Sequence, residues 1–95
     1  MVKEKYLQQV KDIVQNLPAG KDWQAFLFGS SLKKERFGDL DLGIMGQVTT
    51  DEISDLKELF QNSTLPYIVD VVNFNEVEPE FKNNIFNNQI IWIKR

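Results

Sequence analysis

Asp39 and Asp41 occupy alternate positions of an apolar run whose other positions are Leu40, Leu42 and Ile44. In a strand, residues i and i+2 point to the same face. The run therefore predicts a strand with Leu40, Leu42 and Ile44 turned into a core and two carboxylates side by side on the opposite face. Upstream, a second apolar run, Ala25-Phe26-Leu27-Phe28, ends at Gly29-Ser30, which reads as a strand closed by a turn. Two carboxylates this close repel each other when ionised, and a bound cation is the natural resolution.

The rest of the composition narrows the chemistry. The chain has no Cys and no His. That excludes disulfides, thiolate metal sites, a Cys nucleophile and His-based acid–base catalysis. Carboxylates, hydroxyls, lysines and a bound ion remain. The 95 residues, 42% of them hydrophobic, with seven Phe and two Trp, predict one domain over residues 1–95 with a compact core and little surface to spare for a second substrate lobe. A net charge of −3 argues against nucleic acid as a partner, because duplex binding needs a basic face. Neither a signal peptide nor a membrane span is visible, so the expectation is a cytoplasmic, membrane-free protein.

Hydrophobic spacing divides the chain. Tyr6, Leu7, Val10, Ile13, Val14 and Leu17 fall at three- and four-residue intervals, an amphipathic helix stopped by Pro18-Ala19-Gly20. Trp23 to Phe28 is a strand, Ser31 to Phe37 a helical turn or loop, and Asp39 to Met45 the second strand. Thr49 and Glu52 form a capping box that opens a helix with Ile53, Leu56, Leu59 and Phe60 on its apolar face. Pro66 to Phe74 reads as a third strand, Val-rich and central. Glu78-Pro79-Glu80 starts a last helix carrying Phe81, Ile85 and Phe86, and Gln89 to Ile93 forms a short final strand. The order predicts an α+β fold, one sheet covered by helices. Tyr6, Trp23, Trp92 and the Phe residues read as core.

The third strand holds one more carboxylate, Asp70, between Val69 and Val71. An ionised group inside such a run needs a partner, because desolvating it costs several kcal/mol. If the second and third strands are neighbours, Asp70 lies beside Asp39 and Asp41. Three carboxylates around one or two magnesium ions suit in-line phosphoryl or nucleotidyl transfer, with Asp70 as base or second-metal ligand. Gly29 lets backbone approach a phosphate closely, and the Ser30 hydroxyl can donate to a phosphate oxygen. Lys33, Lys34 and Arg36 follow and can neutralise triphosphate charge.

In this order, the Gly-Ser turn, the Asp-x-Asp strand and the later Asp resemble the signature of the polymerase-beta-type nucleotidyltransferase superfamily. More narrowly, the chain resembles the minimal nucleotidyltransferases of bacteria and archaea. The likeness runs through Phe26-Leu27-Phe28-Gly29-Ser30, Asp39-Leu40-Asp41-Leu42-Gly43, Leu65 to Val72 and the tail Glu80 to Ile85. It implies a palm-like domain with a mixed sheet of three to four strands flanked by helices. It also implies two Mg2+ ions held by Asp39, Asp41 and Asp70, a phosphate-gripping turn at Gly29 and Ser30, and transfer of a nucleoside monophosphate, AMP from ATP, to a hydroxyl. The implied partner is a small helical protein of HEPN or substrate-binding type, and some members are antitoxins that adenylylate a HEPN ribonuclease. Between the turn and Asp39 the segment is shorter than in many relatives, with Leu32-Lys33-Lys34 in place of a small-Arg-Gly run. Lys33 then offers a point charge where arginine offers a fork.

That departure motivates a second reading, a non-catalytic antitoxin or nucleotide-binding module acting by contact with a HEPN-like partner. The small size and open strand edges fit a dimer or a hetero-complex in either case.

Overall fold

The computed structural model describes residues 2–18, 20, 22–29 and 38–95. Its elements follow as α1 (Glu4–Gln15), β1 (Trp23–Phe28), β2 (Asp39–Gly46), α2 (Thr50–Gln61), β3 (Ile68–Asn73), α3 (Pro79–Phe86) and β4 (Ile91–Lys94). The four strands form one sheet in the order β3-β2-β1-β4. β1 pairs antiparallel with both β2 and β4, whereas β2 and β3 run parallel. A parallel pair needs a long crossover, and α2 supplies it. The sheet is thus mixed, four-stranded and flanked by three helices, as expected for the α+β fold.

Period-two alternation sorts the strands between two cores. Ala25, Leu27, Leu40, Leu42 and Ile44 are fully buried with Val10 and Val14 of α1 and Ile53, Leu56 and Phe60 of α2. On the opposite face Phe26, Phe28 and Phe74 pack with Ile85 and Phe86 of α3 and with Trp92 of β4. The rings meet edge-on, Phe26 with Phe74 at 4.8 Å between centroids and Phe28 with Phe74 at 5.1 Å. β1 is therefore buried on both faces, whereas the face carrying the aromatic cluster is covered by α3 only in part.

Gly43 makes the aromatic cluster possible. It lies opposite Phe26 in the antiparallel register. A Cβ there would stand 2.5 Å from Cζ of Phe26 and 2.8 Å from Cε1 of Phe74. The two rings occupy the space any side chain would need.

Local signals were obeyed closely. The amide of Glu52 donates to Thr49 Oγ1 at 3.1 Å, and the Thr49 amide donates to Glu52 Oε1 at 2.8 Å, completing the capping box of α2. α1 ends at Gln15 with Asn16 as its cap, earlier than Pro18, and Leu17 is buried beyond the helix.

Three expectations need correction. β3 is an edge strand, not a central one. Its valines are divided, Val69 and Val71 against the α1/α2 core and Val72 toward the aromatic cluster. Apolar side chains on both faces imitate a central strand, but they do not report whether the outer backbone edge is paired. Phe81 is 43% exposed, at the rim of the aromatic cluster with its ring 5.9 Å from that of Phe74 rather than within the core. Leu59 is 37% exposed, outside the buried stripe formed by Ile53, Leu56 and Phe60.

Candidate active site

The carboxylates come together through register. β2 and β3 pair in parallel with Asp41 opposite Asp70 and Asp39 opposite Ile68. Directly opposed residues share a face, and neighbouring strands lie about 4.8 Å apart. Asp39 and Asp41, two residues apart on one strand, are separated by about 6.6 Å of backbone rise. All three acids therefore project from one face, the face that also carries Phe28, which stands opposite Asp41. Leu40 and Leu42, fully buried on the other face, fix that orientation, because a one-residue slip would bury the acids and expose the leucines. The pairing begins where the Ile68 amide donates to the Gly38 carbonyl at 3.2 Å.

Gly29 closes the site from the β1 side. Phe28 is opposite Asp41 in the β1–β2 register, so the residue after it turns directly beside that carboxylate. Gly29 has φ +95°, in the region that favours glycine. A Cβ at this position would lie 2.6 Å from Oδ2 of Asp41. Both backbone conformation and lack of a side chain are thus required where β1 meets Asp41. Ser30 and Lys33, together with Lys34 and Arg36, lie outside the described residues.

Across the sheet the order is now fixed: the turn at Gly29 on β1, the pair Asp39 and Asp41 on β2, and Asp70 on β3. Asp41 is the middle carboxylate and the most enclosed. Burial pushes its carboxyl above the ordinary value of 3.8, and the charges of Asp70 and Asp39 push it further in the same direction. An ionised Asp41 is therefore held at a free-energy cost that a nearby cation would offset. Oxygen-only donors of this kind suit a hard ion such as magnesium, manganese or calcium and not a soft one. As the side chains stand, no group of three acids among the described residues is drawn tightly enough around one point to hold an ion. The donor chemistry fits a hard cation, whereas the side-chain positions do not already enclose one.

Several features of the site were not anticipated. Ile68, opposite Asp39, is 69% exposed, a large apolar side chain beside the acids. Asn75 clamps the end of β2: its Oδ1 accepts from the Gly46 amide at 3.1 Å and its Nδ2 donates to the Gly46 carbonyl at 2.9 Å. That side chain extends the β2–β3 pairing beyond the last strand residue. The packing role of Gly43 was signalled in principle, since a glycine inside an apolar strand often marks a close approach.

No helix among the described residues is long and apolar enough to cross a membrane.

The sequence matches the model of the family described as polymerase beta, nucleotidyltransferase, over residues 8–95. It is 33% identical over 88 residues to a probable protein adenylyltransferase MntA of Haemophilus influenzae, covering 88% of this chain and 75% of that protein. Among solved structures, a chain in the complex of tri-AMPylated Shewanella oneidensis HEPN toxin with MNT antitoxin superposes with a TM-score of 0.60 at 17% identity. A chain of a toxin–antitoxin complex with AMP-PNP superposes with a TM-score of 0.68 at 16% identity. Each match covers 92% of this chain and 71% of the other, and at these identities the likeness is one of fold. Family match, relative and fold agree with a strand-borne acid pair facing a third acid beside a Gly turn, and the chain belongs to the polymerase beta nucleotidyltransferase family.

Proposed function

We propose that residues 1–95 act as one nucleotidyltransferase domain that transfers AMP from ATP to a hydroxyl on a HEPN-type partner protein, and thereby serve as its antitoxin. The observation that carries this reading is the register of Asp41 with Asp70, which sets both on one face with Asp39 and next to Gly29. The name of the Haemophilus relative, a probable protein adenylyltransferase, supports a protein as acceptor. The HEPN–MNT complex of the same fold supports the partner class, and the complex with AMP-PNP supports an adenine nucleotide as donor. Such a pair would meet in the cytoplasm, where ATP is made.

Asp39, Asp41 and Asp70 would hold two magnesium ions. Bound there, the ions would neutralise triphosphate charge and polarise the reacting oxygens. Gly29 presents its backbone to the phosphates without a side chain in the way, and Ser30 and Lys33 would donate to phosphate oxygens from the same turn. The acceptor oxygen attacks the α-phosphorus and forms a new P–O bond. The bond from that phosphorus to the bridging oxygen breaks, pyrophosphate departs, and the acceptor proton passes to Asp70.

ATP labelled at the α-phosphate, incubated with magnesium, this protein and the HEPN-type partner, separates transfer from contact. Label on the partner with α-labelled but not γ-labelled ATP is the expected result. A partner that is neutralised without acquiring label would overturn the enzymatic reading in favour of a contact-only antitoxin.

A further inference from the structure

The open edge of β3 continues the carboxylate site. No strand among the described residues pairs with its outer side. The amides of Ile68 and Phe74 donate inward to Gly38 and Ile44 of the β2 side. By strand alternation Ile68, Asp70 and Val72 turn their backbone groups to β2, and Val69 and Val71 turn theirs outward. Beside this edge runs a cleft of about 810 Å³, with Ser54, Lys57, Glu58 and Gln61 of α2 as one wall and Ile68 to Val71 as the other. Asp70 lines the cleft and stands opposite Asp41 across the β2–β3 pair, so the cleft adjoins the acid cluster.

The order of groups across the sheet assigns a direction to this cleft. Gly29 lies on the β1 side of Asp41 and Asp70 on the β3 side. In an in-line displacement the attacking and leaving oxygens lie on opposite sides of the phosphorus. With the phosphates on the Gly29 turn, the attacking hydroxyl arrives from the β3 side, and the cleft is the surface that lies there. On the reading proposed above, we infer that the acceptor is an extended polypeptide segment that pairs with the outer edge of β3 and delivers a Ser, Thr or Tyr hydroxyl to Asp70.

An added strand would exchange backbone hydrogen bonds with the outward groups of Val69 and Val71, as edge strands accept peptides generally. The residue opposite Asp70 would share its face, at a cross-strand distance of about 5 Å. Its neighbours two positions away would fall beside Ile68, which is 69% exposed, and Val72. Its immediate neighbours would point down over Lys57 and Glu58. The inferred acceptor pattern is therefore a hydroxyl residue with apolar residues at the second positions on either side and charged residues between.

A peptide of sequence Lys-Val-Lys-Tyr-Glu-Val-Glu, the same peptide N-methylated at alternate amides, and the intact HEPN-type partner serve as probes. They are tested with α-labelled ATP against wild type, Val69→Pro and Ser54→Trp. Val69→Pro removes one outward donor without breaking a β2–β3 bond, and Ser54→Trp fills the cleft from an exposed helix position. Thermal melts and ATP binding check that each variant is folded and retains its nucleotide side. The expected result is label on the plain peptide and the partner with wild type, at least tenfold less on both with Ser54→Trp and Val69→Pro, at least tenfold less on the N-methylated peptide, and unchanged ATP binding. Label on the partner that neither variant reduces would overturn the cleft as acceptor site and leave the transfer reading standing. Label on neither peptide nor partner with wild type would overturn both.

Discussion

Asp41 and Asp70 lie opposite each other across the parallel β2–β3 pair, with Asp41 backed on its other side by Gly29, whose missing side chain would meet Asp41 Oδ2 at 2.6 Å. Two like charges are thus held by backbone register, one of them against a turn that leaves it little room to move away. Burial and both neighbouring acids raise the Asp41 carboxyl above its ordinary value of 3.8. The site is an electrostatic load on the metal-free fold, which is the condition under which a cation binds with benefit to stability.

The sign of that load is testable. A carboxyl whose folded pKa lies above its unfolded value binds more protons in the folded state, so stability falls as pH rises from 3.8 through the folded value. Asp41→Asn removes this loss. Melting in EDTA at neutral pH is expected to give the variant a Tm a few degrees above wild type, with the difference closing below about pH 4. A variant less stable than wild type at neutral pH would mean that Asp41 is stabilised by its surroundings.

Magnesium should reverse the ranking. Ligand that binds only the folded state raises Tm in proportion to the logarithm of its concentration over Kd. Titrating magnesium with ATP is expected to raise the wild-type Tm progressively and to leave Asp41→Asn nearly flat. Equal shifts in the two proteins would place the ion elsewhere.

Two glycines separate the site from the scaffold. Gly43→Ala sets a methyl group 2.5 Å from the Phe26 ring. Overpacking of this kind costs about 1–3 kcal/mol, equivalent to a Tm drop of about 4 °C or more in a domain this size. Gly43 shares the acids' face but meets the Phe26 and Phe74 rings, two positions along β2 from Asp41, so label transfer below the melting range is expected to survive.

Gly29→Ala is expected to do the opposite. It strains a residue at φ +95° and displaces the Asp41 carboxylate. Transfer should fall at least tenfold while far-UV circular dichroism at 20 °C or so stays unchanged. Transfer equal to wild type would show that the turn and Asp41 are not coupled.

How far these features were legible depends on the scale of the signal. The orientation of Asp39 and Asp41 followed from the alternation with Leu40, Leu42 and Ile44, a local period that no long-range contact had to supply. The α2 cap was equally local, carried by Thr49 and Glu52. The neighbourhood of Asp70 was legible only as a condition, since strand order depends on where the crossover through α2 lands. Side-chain composition misplaced β3 at the centre, because valines report burial of faces and carry no information on backbone edges. The Asn75 clamp on Gly46 joins residues 29 positions apart and has no local sequence signature. The fit of Phe26 and Phe74 over Gly43 is likewise visible only once the strands are paired. Ser30 and Lys33, the remaining site expectations, lie outside the described residues and stand as part of the proposal.

The most direct measurement is the single-turnover rate of α-labelled AMP transfer to the HEPN-type partner by wild type, Asp39→Asn, Asp41→Asn and Asp70→Asn at saturating magnesium and ATP. If the three acids act as one cation-dependent site with Asp70 taking the proton, each variant loses about 100-fold or more, with its fold intact by circular dichroism. A folded variant of any of the three that transfers within threefold of wild type would contradict the assignment.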